Sequence, residues 1–223
     1  MITIGLTGQT GAGKSTFADY LRRKYGFVHI DTDKISREVI KTKTAELAAM
    51  FGSEVLNPDG TPNRKMIAKR AFSSKENTDA LNRIMHPAIM QTVEKMISDA
   101  EKNGAVGAIV DGAALIESGS INAFDTSVCV VADREVRKRR IIERDNLSEE
   151  DAETRLNGQK DDSFYISNTE HKTVNNSLAE LEKQADELMK KYNIPTAGYE
   201  TFDDPAKAVE YLKTAKMPIV LKA

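Results

Sequence analysis

The sequence predicts an α/β fold, a mainly parallel β-sheet covered by helices, on three observations. Short apolar runs alternate with helix-compatible stretches along most of the chain, the pattern of repeated strand–helix–strand units. Between the first apolar run, Ile2-Thr3-Ile4-Gly5-Leu6, and the first helical stretch lies the octet Gly8-Gln9-Thr10-Gly11-Ala12-Gly13-Lys14-Ser15. It satisfies G-x-x-x-x-G-K-[ST], a match that average residue usage yields by chance in roughly one chain in a hundred of this length. Finally, 223 residues with 40% hydrophobic and 30% charged side chains suit one α/β domain carrying an insertion or a small lid.

The elements follow in order. A strand over about 2–7 feeds the octet, and a helix over about 14–25 ends at Gly26 in a C′ position. Phe27-Val28-His29-Ile30 is a short strand running into Asp31-Thr32-Asp33. Helices are expected from about Lys34 to Ile40 and around 45–51. Asn57-Pro58-Asp59-Gly60-Thr61-Pro62 is a turn, and residues 63–100 read as nearly continuous helix, interrupted or restarted at Pro87. Strands are expected over 105–110 and 125–131, with Asp133 placed to cap the next helix. Ser148-Glu149-Glu150-Asp151 resembles a capping box with Asp in place of Glu. Phe164-Tyr165-Ile166 suggests a late strand. Leu178, Leu181, Ala185, Leu188 and Tyr192 share a helical face, and a shorter helix runs from Asp204-Pro205 to about 215.

The octet carries the chemistry. Its glycines let the backbone fold around phosphates, with N–H groups aimed inward at a helix N-terminus. Lys14 can reach the β- and γ-phosphates and the Ser15 hydroxyl can ligate Mg²⁺, so a nucleoside triphosphate is the expected ligand. A guanine-reading Asn-Lys-x-Asp and an Asp-x-x-Gly switch are both absent, which argues against a GTPase. Thirty-two Lys+Arg against 34 Asp+Glu give a net charge of −2, so no global charge favours nucleic acid or a membrane surface. Cys129, the single cysteine, reads as a buried core thiol, and three scattered histidines give no zinc spacing. With the first strand starting at residue 2 and no apolar run of spanning length, a cytoplasmic protein is expected.

Other residues admit two readings each. Asp31 and Asp33 follow a strand whose C-terminus borders the binding crevice of an open sheet; one can accept a proton or hold Mg²⁺ through water, or either can simply cap the next helix. Arg137, Arg140 and Arg144 share a helix face, suited to a transferring phosphoryl group or to a solvated face paired with Glu135, Glu143 and Asp145. His86 is a helix-start residue or an acceptor contact. Arg64 and Lys65 are anion contacts or solvent-exposed.

The ordered set of motifs resembles the dephospho-coenzyme A kinase family over residues of about 1–170. The resemblance rests on Thr7 through Thr16, Ile30-Asp31-Thr32-Asp33 with Val39, Asp59-Gly60 followed by Arg64-Lys65 and Phe72, and Leu81-Asn82-Arg83-Ile84-Met85-His86-Pro87-Ala88-Ile89. Arg140-Ile141-Ile142-Glu143-Arg144-Asp145, Ser148 to Ala152 and Arg155 to Gln159 are similar to its lid. Ile166-Ser167-Asn168 stands where the family has Ile-Asp-Asn near the adenine, with Ser167 replacing the acid. Ala113-Ala114-Leu115-Ile116-Glu117 stands for the usual Pro-Leu-Leu-Phe-Glu.

The resemblance implies a P-loop kinase with a parallel sheet core (about 1–60, 101–133 and 160–223), a helical acceptor-binding region (about 61–100) and a helical lid (about 134–160). It implies transfer of the ATP γ-phosphoryl to the ribose 3′-hydroxyl of dephospho-CoA, with Mg²⁺. Lys14, Asp33 and Arg140 would carry catalysis. Gly8, Gly11, Ala12, Gly13, Lys14, Ser15, Thr16, Arg144 and Asn168 would bind ATP, Ser15 the metal, and Asp31, Arg64 and His86 the acceptor. A monomer or small homo-oligomer is expected. A kinase for another small hydroxyl or nucleoside monophosphate, and a non-catalytic nucleotide-binding protein, are the alternatives.

Overall fold

The computed structural model describes residues 1–195 and 204–214. Five strands, β1 (Ile2–Thr7), β2 (Val28–Asp31), β3 (Gly107–Asp111), β4 (Thr126–Val131) and β5 (His171–Val174), form one sheet in the order β2-β3-β1-β4-β5. Every neighbouring pair is parallel. Parallel sheets are covered on both faces, so their strands read as near-continuous apolar runs. Accordingly all six residues of β4 are buried. Asp111 pairs in register with both Leu6 and Asp31, which brings the C-terminal ends of β1, β2 and β3 level at one edge of the sheet.

Each face of the sheet meets its own set of helices. On one, Ile4, Leu6, Ile109 and Val128 pack against Phe17 and Leu21 of α1 (Lys14–Tyr25) and Leu181, Ala185 and Met189 of α9 (Leu178–Lys191). On the other, Ile30, Ala108 and Val110 pack against α2 (Thr32–Thr42), α3 (Thr44–Phe51), α4 (Arg64–Ala71) and α5 (Lys75–Lys102). Ile109 and its two neighbours thus face opposite cores, as the two-residue period of a strand requires. A separate small core of Ile141, Ala152 and Leu156 joins α6 (Arg134–Asp145) to α7 (Glu149–Asn157).

Helix α1 ends as its sequence predicts. Gly26 takes φ 75°, and its N–H donates to the Leu21 carbonyl. A polar knot then ties α1 to α9. Asp186 accepts from the hydroxyls of Tyr20 and Tyr25, each at 2.7 Å, and from Lys24 Nζ at 2.8 Å. Burial and the adjacent carboxylate push the Tyr25 hydroxyl up to about 12, so it remains a donor throughout the physiological range. A hydrogen bond to a charged group is worth about 1.5–3 kcal/mol. Asp186→Ala is therefore expected to lower unfolding free energy by about 2–3 kcal/mol, with Asp186→Asn losing less. A urea midpoint unchanged in Asp186→Ala contradicts this.

Four expectations need correction. The 63–100 helix breaks once, at residues 72–74, where α4 ends and the Ser74 hydroxyl caps α5 by accepting from Asn77 N at 3.2 Å. Pro87 does not break α5, which runs through it for 28 residues; burial of Ala80, Met85, Val93 and Ala100 along the helix offsets the lost backbone bond. Phe164-Tyr165-Ile166 is not a strand but part of α8 (Asp162–Ser167), started by Asp161, whose carboxylate accepts from Phe164 N at 3.0 Å. The fifth strand is His171–Val174 instead. Asp133 precedes α6 without a side-chain cap, and its own N–H donates to Asn176 Oδ1 at 2.9 Å.

Cys129 is fully buried, as expected. Among the described residues no helix is long and apolar enough to cross a membrane. The shorter helix near the C-terminus is α10 (Pro205–Thr214), and Met217-Pro218-Ile219-Val220-Leu221 lies outside the described residues.

Candidate active site

The octet forms a tight loop between β1 and α1 and depends on its glycines. Gly8 takes φ 137°, and a Cβ there would meet the Val130 carbonyl oxygen at 2.2 Å. Gly13 takes φ 96°, and its missing Cβ makes room for the Asn175 amide, 1.9 Å from where that atom would stand. Helix α1 begins without a side-chain cap and without an acid in its first turn. Its orphan N–H groups and positive dipole end are left for an anion. Lys14 Nζ folds back onto the Gly8 carbonyl at 3.0 Å, within the loop, while Ser15 and Thr16 are exposed at its mouth. From outside, Gln159 Oε1 accepts from Thr10 N at 2.9 Å, and Gln9 Nε2 donates to Lys160 O at 2.6 Å.

The level strand ends gather carboxylates beside this loop. Asp31, the last residue of β2, caps α2 by accepting from Lys34 N at 3.0 Å, so its capping reading holds. Helix α2 consequently starts at Thr32 rather than near Lys34, and Asp33 lies in its first turn. Although Asp33 keeps access to solvent, desolvation raises its carboxyl above the ordinary range. The charges of Asp31 and Asp111 raise it further, and Lys14 and Arg37 pull it back. Asp111, 3.6 Å from His29 Nε2, is a site residue that the sequence reading passed over. The available signal was an apolar strand ending in an acid, the usual form of the second metal-holding element of P-loop proteins.

The three arginines of α6 separate. Arg137 does not share a phosphate-facing role: it is buried, donating from Nε to the Ala132 carbonyl at 2.9 Å, and burial disfavours its charge. Arg144 forms a two-pronged pair with Asp145, both bonds at 2.8 Å, which Arg155 also contacts. Arg140 turns to the loop, with Nη1 donating to Gly11 O at 3.3 Å and Ala12 O at 3.5 Å and Nη2 to Asn175 Oδ1 at 3.4 Å. Among the described residues no carboxylate pairs with Arg140. Burial and the neighbouring Arg139 disfavour its charge, the condition under which an incoming phosphate is most welcome.

The remaining site residues lie apart. Arg64 opens α4 and is exposed. His86 sits mid-way along α5, not at a helix start, and its Nε2 is 2.7 Å from the hydroxyl of Ser120 in the segment after β3. Asn168 ends α8, donating to the Phe164 carbonyl at 2.8 Å, at the end of the sheet remote from the loop. That placement sets Asn168 apart from the loop, because β5 must still run its length before the chain reaches it. Asn175 and Asn176, directly after β5, arrive there instead, and the sequence reading missed both. The register of β5 against β4, with Val174 opposite Val131, puts them level with the loop.

A parallel sheet with a glycine-rich loop at an uncapped helix start, carboxylates at adjacent strand ends and an arginine from the helix after β4 defines a P-loop kinase. The family model for dephospho-CoA kinase matches residues 2–180. The chain belongs to the dephospho-CoA kinase family. A dephospho-CoA kinase of Corynebacterium glutamicum is 38% identical over 193 residues, covering 85% of this chain and 96% of the relative. One from Geobacter sulfurreducens is 37% identical over 162 residues, covering 71% and 82%. Among solved structures, TT1252 from Thermus thermophilus superposes with a TM-score of 0.75 at 27% identity, covering 86% of this chain and 97% of that one. A dephospho-CoA kinase from Campylobacter jejuni, at 23% identity and a TM-score of 0.53 over 85% and 96%, supports the fold.

Proposed function

We propose that this chain transfers the γ-phosphoryl of ATP to the ribose 3′-hydroxyl of dephospho-CoA. The observation carrying the reading is the convergence on one loop of Lys14, Asp33 and Arg140, a cation, a raised-pKa carboxylate and an unpaired guanidinium, within a chain of this family. The loop N–H groups and Lys14 hold the β- and γ-phosphates. Asp33 orients the acceptor hydroxyl and takes its proton, and the raised affinity of this carboxylate for a proton suits it to that step. Arg140 leaves its neutral carbonyl acceptors for the charge that spreads over the transferring group. Arg144, Arg64 and His86 are proposed to line the nucleotide and acceptor sides as the lid and the helical region close.

The residues present fit Mg²⁺. Ser15 offers a hydroxyl, with the carboxylates of Asp33 and Asp111 by the loop as hard oxygen partners through water. No cluster of three or more ligating side chains exists among the described residues, in keeping with an ion held largely by substrate phosphates and water. Such an ion neutralises charge on the β- and γ-phosphates.

Ala113-Ala114, in place of the family's usual Pro-Leu, alters a segment near the acceptor side, so other acceptors are worth testing. Purified protein with ATP and Mg²⁺ is expected to form CoA from dephospho-CoA with kcat on the order of 1–100 s⁻¹. The check is ADP release with a panel of dephospho-CoA, nucleoside monophosphates and gluconate. A far faster reaction with another panel member, and only background with dephospho-CoA, sinks the acceptor assignment.

A further inference from the structure

We infer that Asn175 is a positioning residue that sets the phosphate-binding loop through its amide nitrogen and orients Arg140 through its amide oxygen. The inference rests on the kinase reading for the reaction but concerns the loop itself.

Asn175 is 2% exposed although it is polar, and it lies 163 residues from the loop it touches. Its backbone N–H donates to the Val131 carbonyl at 2.8 Å, continuing the β4–β5 ladder by one step and fixing where the side chain starts. Its Nδ2 donates to the Ala12 carbonyl at 2.7 Å, and its Oδ1 accepts from Arg140 Nη2 at 3.4 Å. The two ends of the amide are thereby distinguished: one faces a carbonyl and must donate, the other a guanidinium and must accept.

The effect on the loop follows from peptide geometry. In a planar trans peptide the C=O and the following N–H point in opposite directions. Holding the Ala12 oxygen outward, against Asn175, therefore turns the Gly13 N–H inward to where phosphate oxygens bind. The same contact accounts for glycine at position 13, since any Cβ would collide with the Asn175 amide. Arg140 shares this junction, reaching Gly11 O and Ala12 O beside Asn175. Loop and arginine are thus set by one buried amide.

The two roles separate by substitution. Asn175→Asp keeps the size and the oxygen facing Arg140 but loses the donor to Ala12. ADP is expected to bind about 5- to 10-fold more weakly, the effect of one hydrogen bond, and kcat falls further than in Asn175→Leu, because the new carboxylate pairs with Arg140 and must be released before the guanidinium reaches phosphate. Asn175→Leu keeps the volume and loses both, so weaker ADP binding is joined by a fall in kcat. ADP affinity, read by calorimetry without acceptor, is independent of which acceptor the enzyme uses, so a wrong acceptor leaves this test intact. Thermal midpoints are recorded for both variants. Asn175→Leu that binds ADP and turns over like wild type overturns the inference. So do equal losses of affinity and kcat in both variants accompanied by lowered thermal midpoints, which reduce Asn175 to a packing role.

Discussion

Asp33→Asn is expected to lower kcat by about 10²–10⁴, the usual contribution of a general base, while ADP binding persists. The substitution keeps shape and hydrogen-bonding capacity and removes only the charge and the basicity. A pH signature accompanies it. Desolvation and the nearby Asp31 and Asp111 raise the Asp33 carboxyl above its ordinary value. The base works only when deprotonated, so in wild type kcat/KM, which reports the free enzyme, declines as pH falls through that raised value, earlier than for an ordinary carboxylate. In Asp33→Asn this acid limb disappears from the residual rate. Steady-state kinetics across pH check both points. Full activity of Asp33→Asn, or an unchanged acid limb, returns Asp33 to a first-turn residue of α2.

Loss of Arg140 is expected to cost about 10³ or more in both kcat and kcat/KM, the range found for arginines that stabilise phosphoryl transfer. Arg140→Lys keeps the charge without the rigid two-pronged donor and remains well below wild type. Arg139 is exposed and lies about 100° further round α6, so Arg139→Ala serves as the local control and stays near wild type. In the resting structure Arg140 is held only by neutral acceptors, and none of those contacts has to be broken at the cost of an ion pair. Alanine variants at 139 and 140 that behave alike, or an effect on KM alone at 140, make the face a solvated one.

Much of the architecture was legible from the chain because the local signals agreed with the tertiary result. The loop octet, the Gly26 stop and the apolar runs of β1, β3 and β4 each say the same thing at every level. The misreadings occurred where a local preference was overruled. Phe164-Tyr165-Ile166 has strand-forming side chains, yet the Asp161 cap and the packing of Tyr165 beside Cys129 and Val131 make it a helix. Because the last strand is His171–Val174, the asparagines level with the loop are Asn175 and Asn176 rather than Asn168. The separation of Arg137 from Arg140 was not readable from spacing: both occupy one helical face, and only the depth at which α6 settles on the loop buries one and leaves the other facing the phosphates. Asp111 carries a readable signal, but only once β3 is known to lie directly against β1.

The strand order also has a consequence in time. No two strands adjacent in the sheet are joined by a hairpin: Ile2 pairs with Gly107, and Ala12 is held by Asn175, 163 residues later. At about 5–20 residues per second on the ribosome, that separation corresponds to roughly ten to thirty seconds of synthesis. The nucleotide loop is therefore made well before it acquires its working shape. Until β5 is delivered, the nascent protein carries an intact phosphate-binding sequence without the buried amide that fixes its Ala12 carbonyl.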